Sequence, residues 1–127
     1  MKIMAIDMGE RRVGMASTDD SGNFALPREV YPNDGELVAK ILEFKLKNAI
    51  DRVVIGESRN LDGRENEIMK EVYKLRDALV AQGVEVVLHP EIFTTQEAIR
   101  LQGENRMVDA SAAALILKSY LETIGHA

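Results

Sequence analysis

Three strand-like segments follow one another before any helical pattern begins, and that order excludes most α/β architectures. Lys2 to Asp7 is a short, mostly apolar run that ends on an acid, with Met8-Gly9 after it. Val13 to Thr18 reads as a second strand built of small residues. The cluster Asp19-Asp20-Ser21-Gly22-Asn23 is rich in turn formers. Phe24 to Tyr31 reads as a third strand, and Pro27 marks it as an edge or irregular one because proline cannot donate to a ladder. Together they suggest an antiparallel meander. A doubly wound parallel sheet does not begin with three consecutive strands.

The rest of the chain alternates. A first helix follows Asn33-Asp34-Gly35, with Leu37/Val38 and Ile41/Leu42 at helical spacing. Arg52 to Gly56 is a continuous β-branched run, which suits a buried and parallel position. After a polar loop, Glu57 to Gly63, a helix carries Ile68, Val72, Leu75 and Leu79 on one face and stops at Gly83. Val84 to Leu88 is a further strand. Thr94 with Glu97 makes a capping box for a helix to about Gln102, and the last helix runs from Asp109 to Thr123. The order β-β-β-α-β-α-β-α-α matches a ribonuclease H-like layout: a mixed five-stranded sheet, antiparallel meander plus parallel strands, flanked by helices.

Length and composition narrow the class. The 127 residues can bury one core, so residues 1–127 are read as a single domain. With 46% hydrophobic and 29% charged residues the balance is that of a folded globular chain. There is no cysteine, hence no disulfide framework and no thiolate metal site. The apolar start is too short for a secretory signal, and no window approaches a membrane span, so a cytoplasmic location without membrane association is expected. A net charge of −5 argues against binding nucleic acid by bulk charge and shifts the question to local placement.

Three acids stand where secondary structure could bring them together. Asp7 ends the first strand, Glu91 follows the last, and Asp109 opens the final helix. Metal-assisted phosphodiester hydrolysis needs carboxylates gathered at the ends of neighbouring elements, because hard divalent cations take oxygen ligands. Each acid also has a plainer reading. Asp7 could terminate a strand at a glycine turn, although an acid directly after MKIMAI costs burial energy unless it has partners. Asp109 could be only an N-cap for an alanine-rich helix. Glu91 could be a solvated loop residue.

Glycines and arginines occupy the same loops. Gly9 and Gly14 complete the pattern D-x-G-x-x-x-x-G across the first turn, where missing side chains allow backbone to approach a phosphate. Sugar kinases and actin carry a similar loop, but they close two such lobes over a nucleotide and this chain supplies one. Arg11 and Arg12 lie in that turn, Arg59 and Arg64 flank Asn60-Leu61-Asp62-Gly63, and Arg106 precedes Asp109. If these loops share one edge of the sheet, an acidic protein gains a basic rim suited to phosphates. His89 and His126 make no metal site: the first reads as structural, the second as terminal.

The segments AIDMGERRVGMAST, VVIGESRNLDGREN, EIFTTQEA and VDASAAALILKSYL, in this order, closely resemble the YqgF (RuvX-like) family. That family is related to Holliday junction resolvases, and maturation of the 5′ end of pre-16S rRNA is attributed to it. The resemblance implies a ribonuclease H-like nuclease dependent on Mg²⁺ or Mn²⁺ and engaged in ribosome biogenesis. Asp7, Glu91 and Asp109 would be its catalytic and metal-binding acids. Its substrate would be an rRNA precursor, in the setting of the small-subunit precursor, or structured DNA. A monomer or weak homodimer is expected, since a junction resolvase would need a two-fold dimer to cut symmetrically. Two alternatives remain open: a Holliday junction resolvase-like DNA nuclease, and a non-catalytic RNA- or ribosome-binding factor. The chain departs from the family twice. Pro90-Glu91-Ile92 replaces Asp-Glu-Arg, and Gly56-Glu57-Ser58 replaces Gly-Leu-Pro. The second departure makes Glu57 a fourth candidate metal ligand.

Overall fold

Strand β1 (Ile3–Met8) is buried at every position, which is why its sequence is apolar almost throughout and not alternating. The computed structural model describes residues 1–57, 67–90 and 108–125, without the side chains of 108 and 109. Strands β2 (Arg12–Thr18) and β3 (Ala25–Pro32) complete the meander. Helix α1 (Leu37–Lys47), strand β4 (Arg52–Glu57), helix α2 (Ile68–Ala81), strand β5 (Val86–Pro90) and helix α3 (Val108–Thr123) follow. The helix expected near Thr94–Gln102 lies outside the described residues.

The sheet order is β3-β2-β1-β4-β5. β1, β2 and β3 pair antiparallel, whereas β1, β4 and β5 run parallel. The expected mixed five-stranded sheet is therefore present. Pro27 sits on the edge strand, as its missing N–H requires. The ladder between β2 and β3 passes from Met15↔Glu29 to Ala16↔Pro27, so Arg28 is the extra residue of a bulge. Its Nε donates to Ser17 Oγ at 2.8 Å, giving the bulged residue an anchor.

Two cores use the two faces of the sheet. Met4, Ile6, Met8, Val13, Met15, Val53 and Ile55 pack with α1 and α2. Ile3, Ala5, Ala16 and Val54 face α3, where they meet Ala113, Ile116, Leu117 and Tyr120. Alanines on both sides of that contact let helix and sheet approach closely. The fully buried Ile116 and Leu117 each contribute roughly 1.5–3 kcal/mol to holding them together. On α2, Met69 takes the buried place with Val72, Leu75 and Leu79, while Ile68 is only partly buried. Tyr73 lies against the same core with the Arg76 guanidinium 4.9 Å from its ring centroid.

β5 begins two residues later than the hydrophobic pattern suggests. Val84 N–H closes the end of α2 by donating to the Leu79 carbonyl at 3.1 Å, so Val84 belongs to the turn although its side chain is in the core. Gly83 makes that turn possible, with φ at +80°.

Candidate functional site

Parallel pairing carries the C-terminal ends of β1, β4 and β5 to one edge of the sheet. Gly56 pairs with His89 and Glu57 with Pro90. Ile6 pairs with Ile55, so one step on Asp7 stands beside Gly56. On its other side Asp7 pairs with Gly14. A single row across the sheet therefore reads Gly14, Asp7, Gly56, His89.

Alternation decides which way each of these looks. Ile3 and Ala5 face α3, and Asp7 continues that series two residues on. Asp7 is 7% exposed and is the only buried carboxylate among the described residues. Both neighbours in its row are glycines, so neither β2 nor β4 sets a side chain directly beside the carboxylate. Glu57 occupies the next row with Met8 and Pro90, and alternation assigns it to the face of Val53 and Ile55. It reaches the same edge from the opposite face of the sheet.

The other two acids join from the chain beyond these strands. Glu91 follows the last residue of β5 directly and lies outside the described residues. Asp109 belongs to the opening turn of α3, which packs on the face that Asp7 shares, but its side chain also lies outside them. Among the described residues no group of three or more potential metal ligands is assembled. Arg59, Asn60, Arg64 and Arg106 fall outside the described residues as well. Arg11 and Arg12 are exposed in the turn joining β1 to β2.

That turn is close-packed. A Cβ added at Gly9 would collide with the carbonyl oxygen of Arg12, so the close approach of backbone to backbone requires glycine there. Asn33, at the end of the meander, braces the turn from outside. Its side-chain amide donates to the Gly9 carbonyl at 2.9 Å and to the Glu10 carbonyl at 3.4 Å. Its backbone N–H donates to the Arg11 carbonyl at 2.9 Å. In the sequence Asn33 only precedes the first helix, and nothing local to it signals a contact 24 residues away.

His89, read as structural, is seated on α3. Its Nε2 lies 2.9 Å from Ser119 Oγ, and its ring meets Tyr120 edge-on with centroids 5.7 Å apart. Burial pushes the imidazole below its ordinary value of 6.5, with the negative charge of Glu57 working against that shift.

The residues present suit a hard cation. Asp7 is an oxygen donor at the end of a central strand, of the kind that a hard divalent cation takes. The two bare glycine positions beside Asp7 are where side chains would otherwise fill the space such an ion and its substrate oxygens need.

Comparison with known proteins agrees with this reading of the fold. The solved structure of Thermus thermophilus RuvC in complex with a Holliday junction substrate superposes with a TM-score of 0.64 at 17% identity, covering 99% of this chain and 98% of that one. The fowlpox virus resolvase bound to Holliday junction DNA gives 0.60 at 12% identity, covering 98% and 99%. The fold is thus the ribonuclease H-like fold of these resolvases. Two bacterial relatives carry the name "Putative pre-16S rRNA nuclease". The one from Desulforudis audaxviator is 33% identical, covering 97% of this chain and 95% of its own length. The one from Thermus thermophilus is 33% identical, covering 95% and 97%. A family model described as "RuvX: Holliday junction resolvase" matches residues 1–123, and the chain belongs to the RuvX family.

Proposed function

We propose that this protein is a metal-dependent nuclease that hydrolyses phosphodiester bonds in the 5′ leader of pre-16S rRNA. The observation that carries the reading is the buried Asp7, held at the end of a central strand between Gly14 and Gly56 in a chain of the RuvX family. Asp7, Glu91 and Asp109 would hold Mg²⁺ or Mn²⁺. A divalent ion supplies such a site with Lewis acidity and a lowered pKa for water. The chain's own part would be to bring the three carboxylates to one edge of the sheet, Asp7 being carried there on the face that packs against α3. Gly9, Arg11, Arg12, Gly14, Arg59, Asn60, Arg64 and Arg106 would take the nucleic-acid backbone. Glu57, reaching the edge from the other face, is better placed to influence His89 than to share a ligand shell with Asp7.

The names of the relatives favour RNA over DNA. The structural likeness to junction-bound resolvases supports the second reading, cleavage of four-way DNA junctions, which would require two copies of the chain acting together. The deciding experiment incubates the protein and Asp7→Asn with pre-16S 5′-leader RNA and with a four-way DNA junction in Mn²⁺. RNA cleavage that falls about a thousandfold in Asp7→Asn is expected, since removing a metal ligand costs several kcal/mol of transition-state stabilisation. Junction cleavage alone would install the second reading. Absence of metal-dependent cleavage of either, by folded protein, would leave a non-catalytic RNA- or ribosome-binding factor.

A further inference from the structure

Asn33 gives hydrogen bonds to three consecutive backbone carbonyls of the β1–β2 turn, those of Gly9, Glu10 and Arg11. Such convergence constrains the whole turn. In a planar trans peptide the N–H points opposite to the C=O. Three successive carbonyls turned toward Asn33 therefore turn the N–H groups of Glu10, Arg11 and Arg12 away from it. Among the described residues, nothing accepts a hydrogen bond from the N–H of Glu10 or of Arg11. Outward-facing consecutive amides make a surface attractive to an anion. The same turn carries the exposed side chains of Arg11 and Arg12, and it leads away from Asp7 by a single residue, Met8, before Gly9.

We propose that Asn33 is a positioning residue for substrate: by holding the carbonyls of residues 9–11 it sets the amides and the two guanidinium groups of the turn against a phosphate next to Asp7. The inference rests on the nuclease reading above and adds to it a residue that touches neither metal nor substrate. An unbraced three-residue connection, Gly9 to Arg11, would let Arg11 and the adjoining Arg12 sample many arrangements, and ordering them at the moment of binding would cost affinity. Asn33 spends that ordering in the free protein. Its own position is secured because Asn33 directly follows β3, whose last residue, Pro32, pairs with Arg12.

The test is fluorescence anisotropy of a labelled 5′-leader RNA oligonucleotide, and of a labelled four-way DNA junction, in EDTA so that neither is cut. Asn33→Ala is compared with wild type, and both again in a background carrying Arg11→Gln and Arg12→Gln. The expected result is a Kd raised roughly five- to tenfold by Asn33→Ala, with the slope of log K against log salt reduced by about one phosphate contact. In the background without the two arginines, Asn33→Ala should add less, because the guanidinium groups it positions are gone and only the amides remain. Equal losses in both backgrounds, or no loss at all, would overturn the inference while leaving the nuclease reading intact. Asn33→Leu, similar in shape and without donors, provides a second variant. If neither variant folds by circular dichroism, Asn33 is a structural residue and the inference falls. Wild type that binds neither nucleic acid would remove the nuclease reading and this inference together.

Discussion

His89 Nε2 and Ser119 Oγ stand 2.9 Å apart and join the end of β5 to the C-terminal half of α3. Glu91 lies two residues beyond one partner and Asp109 ten residues before the other. The hydrogen bond therefore ties together the two elements that deliver those acids, and the neighbouring Tyr120 ring fixes the plane of the imidazole. Ser119→Ala should lower stability by about 0.5–1 kcal/mol, a shift of roughly 2–4 °C in Tm, because the pair is partly solvated. Cleavage should fall more than RNA binding does. Thermal melts alongside kcat and Kd measure the split, and an equal loss in both would assign the pair to folding alone.

Gly56 is the neighbour of Asp7 on the β4 side, and by alternation a methyl group there would stand on the face that Asp7 shares. Gly56→Ala should raise the Mn²⁺ concentration needed for half-maximal cleavage by roughly tenfold or more. The accompanying loss of stability should stay within about 1–3 kcal/mol, the usual range for overpacking. Glu57→Ala, one residue on and assigned to the other face, should leave the Mn²⁺ requirement unchanged. A metal titration of cleavage by the two variants in parallel tests the alternation argument directly.

Tyr120 is 6% exposed, and its hydroxyl accepts from Arg52 Nη1 at 2.9 Å. Arg52 Nη2 meets Glu85 at 3.1 Å, whereas the buried Nε has no partner among the described residues. Tyr120→Phe removes one of few acceptors from a mostly buried guanidinium and should cost about 1–2 kcal/mol. Adding Arg52→Met should recover much of that, since the group left wanting an acceptor is then absent. Urea unfolding of the single and double variants gives the comparison.

Asp19 organises the turn between β2 and β3. Its Oδ1 accepts from Ser21 Oγ at 2.7 Å and from the backbone N–H of Asn23 and Phe24, each at 3.3 Å. The Ser21 hydroxyl above all, with those amides, holds the carboxyl below its ordinary value of 3.8. A folded pKa below the unfolded one means that the stabilisation is present above 3.8 and is lost as pH falls through the folded value. Asp19→Ala should therefore lower Tm modestly well above 3.8, and the wild-type and variant melting curves should converge in stronger acid. A Tm difference that did not change with pH would assign the effect to turn shape and not to charge.

Much of the fold is legible in the sequence, because hydrophobic periodicity and turn formers act locally. The buried run around Asp7, the proline that confines β3 to an edge, and the glycine that ends α2 each follow from constraints spanning a few residues. Family resemblance, carried by four ordered blocks, extends the same legibility to Asp7, Glu91 and Asp109 as candidates. What local pattern misplaces is small: Val84 reads as strand, yet its N–H is taken by the end of the preceding helix.

The sequence by itself determined the order of the described elements, the mixed character of the sheet and the acid at the end of its first strand. Tertiary structure alone decided who stands beside whom. Register sets Gly14 and Gly56 on either side of Asp7, and alternation, counted from the cores on each face, separates Asp7 from Glu57 although both end strands at one edge. Asn33 gained its role from a contact across 24 residues, and His89 from one across 30. The physical reason is common to all four. Periodicity and turn chemistry are properties of neighbours in the chain, whereas a site is made by neighbours in space, chosen by the one packing that buries both faces of the sheet.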